Sequence, residues 1–352
     1  MSTTNDHTGP APAPHARSAF ALGELAGVCA HYDLGEIRGV FEFQKGSSRS
    51  PKVLLETANG RYLLKRRARG RDDPYRVAFS HDVQLFLHGA GFPTARLVGT
   101  ARGNNSMVQL NDRVYEVFAF VEGEAFDRTP PPCESAGRLL ARLHALLRDY
   151  QPRWPAPAWS FHNDAGVRAS LDLLVQRAVR GAAELRSLYH DATNAALPKA
   201  ARRSAPGAQL LHGDWHPGNM IFRNGRVAAV LDFDGARSGL TLHDLAAGVL
   251  QFSLARVRTD PDHWPDALDA TRFAAFLRGY GPVSADLATL PGLMAESLIA
   301  ELVAPIAATG RFAGRDPAPF VRMVVRKGRW LLARAPALAA LAGKSAAGSV
   351  DR

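Results

Sequence analysis

The hydrophobic periodicity of this 352-residue chain changes once, near Gly123, and that change constrains the fold more than any other feature. Before it, apolar residues come in short β-branched or aromatic runs: GVFEFQ (39–44), KVLLETA (52–58), RYLLKRR (61–67), ARLVGTA (95–101), SMVQL (106–110) and VYEVFAFV (114–121). Such runs, bounded by turn residues, predict strands. Asn59-Gly60 predicts a tight hairpin between the second and third. A short helix is expected within 19–33, and a second opens at Asp72-Asp73-Pro74 and runs to about His88. Acidic residues ahead of a proline suit a helix N-terminus. Beyond Gly123 the period becomes helical. Leu139, Leu140, Leu143, Leu146 and Leu147 share one face of 134–150, and further helices are expected over 164–190, 243–256, 267–279, 288–308 and 318–340. Residues 208–236 interrupt them with two strand pieces, MIFRN and RVAAVLDF, joined at Asn224-Gly225. The expectation is an α+β chain with an antiparallel β lobe over 19–121 and a mainly α-helical lobe over 122–340. The ends, 1–18 and 341–352, are expected to be disordered.

Composition removes several classes. With 46% hydrophobic and 22% charged residues the chain is globular. No stretch approaches eighteen uncharged apolar residues, so no membrane partner is expected. The first eighteen residues lack the basic and apolar regions of a secretory signal, so a cytoplasmic protein is expected. Two cysteines, Cys29 and Cys133, provide neither a zinc cluster nor a disulfide framework. The net charge of +10 comes from arginine, since only six of 43 basic residues are lysine. The arginines are scattered and no recognition helix, zinc finger or RNP-type motif accompanies them, so nucleic acid is not expected as a partner. No feature of the sequence specifies an oligomeric state.

The chemistry concentrates in LHGDWHPGN (211–219), followed by VLDFD (230–234). Gly213, Pro217 and Gly218 make the first stretch a loop that presents its polar side chains. Asp214 and Asn219 are separated by four residues, and Asp232 ends a strand after a hairpin. A carboxylate that accepts a hydroxyl proton, plus an Asn and a second Asp that hold a divalent cation, are the parts of a phosphotransferase site. A zinc site at His212 and His216 is disfavoured, because Gly and Pro surround the pair and no helix aligns the rings.

These two segments resemble the aminoglycoside phosphotransferase / choline kinase superfamily, in its spore-coat-kinase-like or homoserine-kinase-like branch. LLKRR, YEVFAFVEG and LARLHALL extend the resemblance over about 36–335. It implies a protein-kinase-like two-lobed fold with ATP held between the lobes. It further implies Asp214 as catalytic base, Asn219 and Asp232 as Mg²⁺ ligands, and His212 as a support of the catalytic loop. Lys65 is implied to contact the nucleotide phosphates, although three adjoining basic residues also read as a solvated strand end. Gly46, Ser47 and Ser48 stand where a phosphate-covering loop belongs, or form a plain hairpin loop. The Ala119 carbonyl and Val121 N–H are implied to read the adenine edge. Asp234 either touches metal or substrate or caps a turn, and Asp244 caps a helix or anchors the loop. His144 is expected to have a structural partner.

One departure stands out. The family lysine pairs with a helix glutamate, and no Glu occurs between Glu56 and Glu116. Asp82 is the expected substitute. The acceptor is expected to be a small-molecule hydroxyl. Net basicity of residues 134–352, 27 Lys+Arg against 19 Asp+Glu, argues against an aminoglycoside-resistance kinase. The acidic patch Asp260, Asp262, Asp266 and Asp269 argues the other way. Trp215, Phe252, Trp264 and Trp330 belong either to the core or to an aromatic wall of the acceptor site. The alternative function is a kinase-fold nucleotide-binding or interaction module without turnover, which the missing helix glutamate favours.

Overall fold

The computed structural model describes residues 19–43, 50–156, 165–196, 208–256 and 259–348. It divides into two compact units, Met1–Gly70 with Gly99–Val117, and Arg71–Val98 with Phe118–Arg352. The first carries helix α1 (Leu22–Cys29) and a five-stranded sheet of β1 (Ile37–Glu42), β2 (Lys52–Thr57), β3 (Gly60–Arg66), β4 (Val108–Leu110) and β5 (Arg113–Ala119), in the order β1-β2-β3-β5-β4. The last two residues of β5 fall in the second unit. The hairpin expected at Asn59-Gly60 forms: β2 and β3 pair antiparallel, with Thr57 opposite Gly60. Thr57 Oγ1 locks it by accepting from Asn59 N at 3.2 Å and donating to Leu34 O at 2.6 Å. Alternation buries Val53 and Leu55 of β2 and Tyr62 and Leu64 of β3, whereas β5 is buried on both faces from Val114 to Val117. The strand expected at 95–101 does not form: Thr94 bridges Val230 and Leu97 bridges Phe118, so the segment changes partner before a ladder can build.

The second unit begins with α2 (Pro74–Gly89), capped by Asp73, whose side chain accepts from Tyr75 N and Arg76 N. Its membership moves the boundary from the expected 19–121. The reason is packing: Phe79, Val83 and Leu87 join the helical core, and Phe86 stacks on Tyr150 with ring centroids 3.9 Å apart. Then follow α3 (Pro130–Leu147), α4 (Ala165–Gln176), α5 (Ala182–Ala196), β6 (Gln209–Leu211), β7 (Met220–Arg223), β8 (Arg226–Val230), β9 (Arg237–Gly239) and α6 (Thr241–Ser253). Helices α7 (Ala270–Tyr280), α8 (Leu290–Thr309), α9 (Ala318–Ala333) and α10 (Ala335–Ala347) complete it.

Two expected helices are each split. Residues 164–190 break where Ala178 and Gly181 take positive φ. Residues 318–340 break at Arg334, just ahead of Pro336, and α10 continues to Ala347, into the stretch expected to be disordered. The segment Leu287–Thr309, containing α8, is long and apolar enough to cross a membrane, but 72% of its apolar window is buried in the protein. Its composition is that of a core helix packed by α4, α5, α6 and α9.

Candidate active site

Two short antiparallel pairs frame the site. β6 pairs with β9 and β7 with β8, so the loop 212–219 and the loop 231–236 each leave one pair and enter the other. The backbone joins them directly, Leu231 N donating to Asn219 O at 2.8 Å.

The first loop is held from beneath. Asp244, buried in the first turn of α6, accepts from His212 N at 2.8 Å and Gly213 N at 2.9 Å. It is thus the loop anchor, the second of its two expected roles. Burial opposes its charge, but His144 and Arg237 outweigh burial and depress its carboxyl to about 2. His144 has the structural partners expected of it, Tyr280 Oη at 2.9 Å and Asp244 at 3.5 Å. Arg237, also buried, donates to Gly213 O at 2.8 Å and Gly235 O at 3.1 Å. Only glycine fits at 213: φ is +78°, and a Cβ would stand 2.0 Å from Gly235 O.

His212 bridges the two loops. Its Nδ1 accepts from Asp214 N at 3.2 Å, which leaves Nε2 to donate to Leu231 O at 3.2 Å. Burial holds the ring below the ordinary imidazole value despite the nearby Asp244 and Asp214. With both nitrogens engaged, it is a neutral strut. Trp215 packs edge-on against it at 5.3 Å, fully buried.

On that scaffold Asp214 and Asn219 meet. Asn219 Nδ2 donates to Asp214 Oδ2 at 2.8 Å and to Asp214 O at 3.1 Å. His216 Nε2 lies 3.5 Å from the same Oδ2, while its Nδ1 accepts from Gly218 N at 3.0 Å. Burial would raise the Asp214 carboxyl; the hydrogen bonds from His216 and Asn219 hold it below the ordinary aspartate value. The carboxylate is therefore ionised at neutral pH. Asp232 takes the left-handed conformation, φ 61° and ψ 72°, a strained geometry that aspartate tolerates better than most residues. Asp234 lies on the following 3₁₀ turn, Phe233–Gly235, against which α2 packs.

In the first unit, Lys65 finds a carboxylate the sequence reading missed. Its Nζ lies 3.0 Å from Glu116 Oε1, and Glu116 is fully buried. The expected partner is corrected accordingly. Asp82 instead accepts from Tyr150 Oη at 2.8 Å and Arg153 N at 2.7 Å, tying α2 to the segment after α3. A lone glutamate inside the apolar run VYEVFAF was the available signal. Ala119 donates its N–H to Arg96 O at 2.8 Å, and the connector leading on through Val121 is pinned by paired bonds between Glu124 and Phe222. Gly46, Ser47 and Ser48 lie outside the described residues.

Sequence reasoning also missed Glu301. It interrupts the apolar face of α8 and accepts a short bond from Gln251 Nε2. Burial pushes its carboxyl up to about 7, against His216, Gln251 and Arg256 and with Asp214. Three carboxylates of the acidic patch are paired with arginine and the fourth lies beside a histidine. Asp262 pairs with Arg322, Asp266 with Arg326, Asp269 with Arg272 and Asp260 with His263. Trp215 and Phe252 are core; Trp264 is half-buried beneath Arg256, 4.9 Å from its ring centroid.

A β-rich N-terminal unit, a helical C-terminal region and a loop pair bearing His, Asp, Asn and Asp define a protein-kinase-like α+β fold. Over residues 42–293 the sequence matches the phosphotransferase enzyme family, and the chain belongs to that family. Among its relatives is a homoserine kinase of Afipia carboxidovorans, 28% identical over 270 residues, 75% of this chain and 76% of that one. A homoserine kinase of Gluconobacter oxydans is 26% identical over 286 residues, covering 78% and 84%. Solved structures agree on the fold. An aminoglycoside phosphotransferase from Alicyclobacillus acidocaldarius superposes with a TM-score of 0.62 at 19% identity, covering 94% of this chain and 99% of that one. A microcompartment-associated aminopropanol kinase gives 0.59 at 15%, covering 89% and 96%.

Proposed function

We propose that this protein is an ATP-dependent kinase that phosphorylates the hydroxyl of a small amine-bearing acceptor, homoserine or a close analogue. The observation that carries it is the Asp214–Asn219 hydrogen bond on a loop fixed by His212 and Asp244. An ionised Asp214 orients the acceptor hydroxyl and takes its proton as the oxygen attacks the γ-phosphorus; the bond to the β-γ bridging oxygen breaks and ADP leaves. Asn219 uses its nitrogen toward Asp214, so its amide oxygen faces away and is left to bind a cation. That oxygen and the Asp232 carboxylate are hard donors of the kind that would suit a Mg²⁺ ion. Bound there, Mg²⁺ would neutralise phosphate charge. Lys65 would contact the phosphates, and the Ala119 carbonyl and Val121 N–H the adenine edge.

Two observations support the acceptor. The curated relatives are homoserine kinases. Glu301, coupled electrostatically to Asp214 and His216, offers a carboxylate that an ammonium group would hold in its charged form. Large polycations are disfavoured because three of the four carboxylates of the acidic patch are already paired with arginine. The absent helix glutamate, the one support for a module without turnover, is offset by the Lys65–Glu116 pair.

The test is ADP formation by the purified chain with ATP and Mg²⁺ against homoserine, choline, ethanolamine, simple sugars and aminoglycosides. Homoserine-type acceptors should give turnover that Asp214→Ala lowers by about 10²-fold or more, with ATP binding retained. Turnover unchanged in Asp214→Ala, or none with any amine-bearing alcohol, would overturn the reading.

A further inference from the structure

The basic run of β3 is buried rather than solvated: Lys65, Arg66 and Arg67 are 8%, 9% and 5% exposed. Alternate residues of a strand share a face, so Lys65 and Arg67 project together and Arg66 opposite. The carboxylates follow that division. Glu24 of α1 takes Arg66 at 2.6 Å, and also accepts from Tyr115 Oη at 2.7 Å. Glu116 of β5 takes Lys65 on Oε1 at 3.0 Å and Arg67 on Oε2 at 2.9 Å. Strands β3 and β5 are neighbours, joined beyond β3 by Arg67 N donating to Val114 O at 2.9 Å. Three adjoining cations are therefore held by two carboxylates, one from α1 and one from β5.

We propose that Glu116 is the positioning residue for Lys65, aiming its ammonium at the nucleotide phosphates from within the sheet. The proposal rests on the kinase reading of Lys65. Two features make the arrangement suited to the task. Glu116 divides its two oxygens between Lys65 and Arg67, so a single carboxylate oxygen orients the Lys65 ammonium. Secondly, the lysine's partner lies on a strand of its own unit, whereas α2 and Asp82 belong to the other unit and Asp82 is engaged by Tyr150 and Arg153. Nucleotide affinity should then be independent of the Asp82 carboxylate. Burying such a triad is costly, and the carboxylate meets both cations at ion-pair distance, 3.0 and 2.9 Å.

The experiment measures MgATP affinity by calorimetry, and KM against kcat, for the full chain carrying Lys65→Met, Glu116→Gln, both together, and Asp82→Asn. Glu116→Gln should weaken MgATP binding by about tenfold, with the double variant no worse than Lys65→Met alone. KM for ATP should move more than kcat, and Asp82→Asn should bind MgATP like the parent. If Glu116→Gln does not fold, Glu116→Asp keeps the charge and should fold with an intermediate KM. Additive effects of Lys65→Met and Glu116→Gln, or parental ATP affinity in a folded Glu116 variant, would overturn the positioning role. Parental MgATP affinity in Lys65→Met would instead remove the phosphate role of Lys65 itself, and the proposal with it.

Discussion

Asn219 Nδ2 stands 2.8 Å from Asp214 Oδ2, a donor set against the carboxylate proposed as base. Two acceptor oxygens of Asp214 require the nitrogen end of the amide, so the side-chain orientation is dictated by Asp214. Asn219→Asp separates this role from metal binding. It keeps a hard oxygen but replaces a donor by a like charge, which disfavours ionisation of Asp214. The acidic limb of the kcat profile should therefore move to higher pH. A limb that stays in place would mean that Asn219 does not hold Asp214 in its ionised form.

The two aspartates of LDFD should differ. Asp232, held in the left-handed region at a strand end, is the proposed cation ligand, and Asp232→Asn should lose Mg²⁺-dependent nucleotide binding. Asp234→Asn should shift a Mg²⁺ titration less. The reverse order of damage would move the ligand role to Asp234.

Acid stability should report on Asp244. Its folded carboxyl lies at about 2 against an unfolded value of 3.8. A depressed carboxylate contributes stability that is full above the unfolded value and is lost as pH falls toward the folded one. For a fully buried group this amounts to about 2 kcal/mol. Asp244→Asn should thus lower unfolding free energy in urea at pH 7, and the difference from the parent should narrow between about pH 4 and pH 2. A constant difference across that range would assign the loss to the two backbone bonds at His212 and Gly213 rather than to charge.

How far the sequence revealed this site depended on how local each contact is. The loop 212–219 and LDFD were legible because glycine, proline and a hairpin fix their geometry within a few residues. His212 as a strut and Asp244 as an anchor were legible as roles, but the ring nitrogens and the 32-residue bond from His212 N to Asp244 belong to tertiary packing. Glu116 was missed because strand neighbours β3 and β5 are far apart in sequence, and no local pattern reports which strands adjoin. The same blindness placed α2 with the β lobe, since the apolar face of a helix does not say which core it enters. Splits at Ala178–Gly181 and Arg334 escaped because the apolar period continues across both.

The crossing of α3 and α7 yields the last prediction. A Cβ on Gly137 would lie 2.0 Å from Phe276 O and 2.9 Å from Tyr280 N, both backbone atoms that cannot rotate aside. Gly137→Ala therefore forces the helices apart, at a cost of about 1–3 kcal/mol, well beyond the gain alanine brings to a helix. Because α3 carries His144 and α7 carries Tyr280, the displacement also strains the 2.9 Å bond between them and the His144 contact with Asp244. The variant should melt at lower temperature and lose turnover more steeply on warming than the parent. Gly343→Ala in α10 is the control: nothing lies within 4 Å of its added Cβ, so helix propensity alone acts and stability should hold or rise slightly. Equal melting temperatures for Gly137→Ala and the parent would show that the crossing yields without cost, and that the close approach of these helices does not constrain the loop anchor.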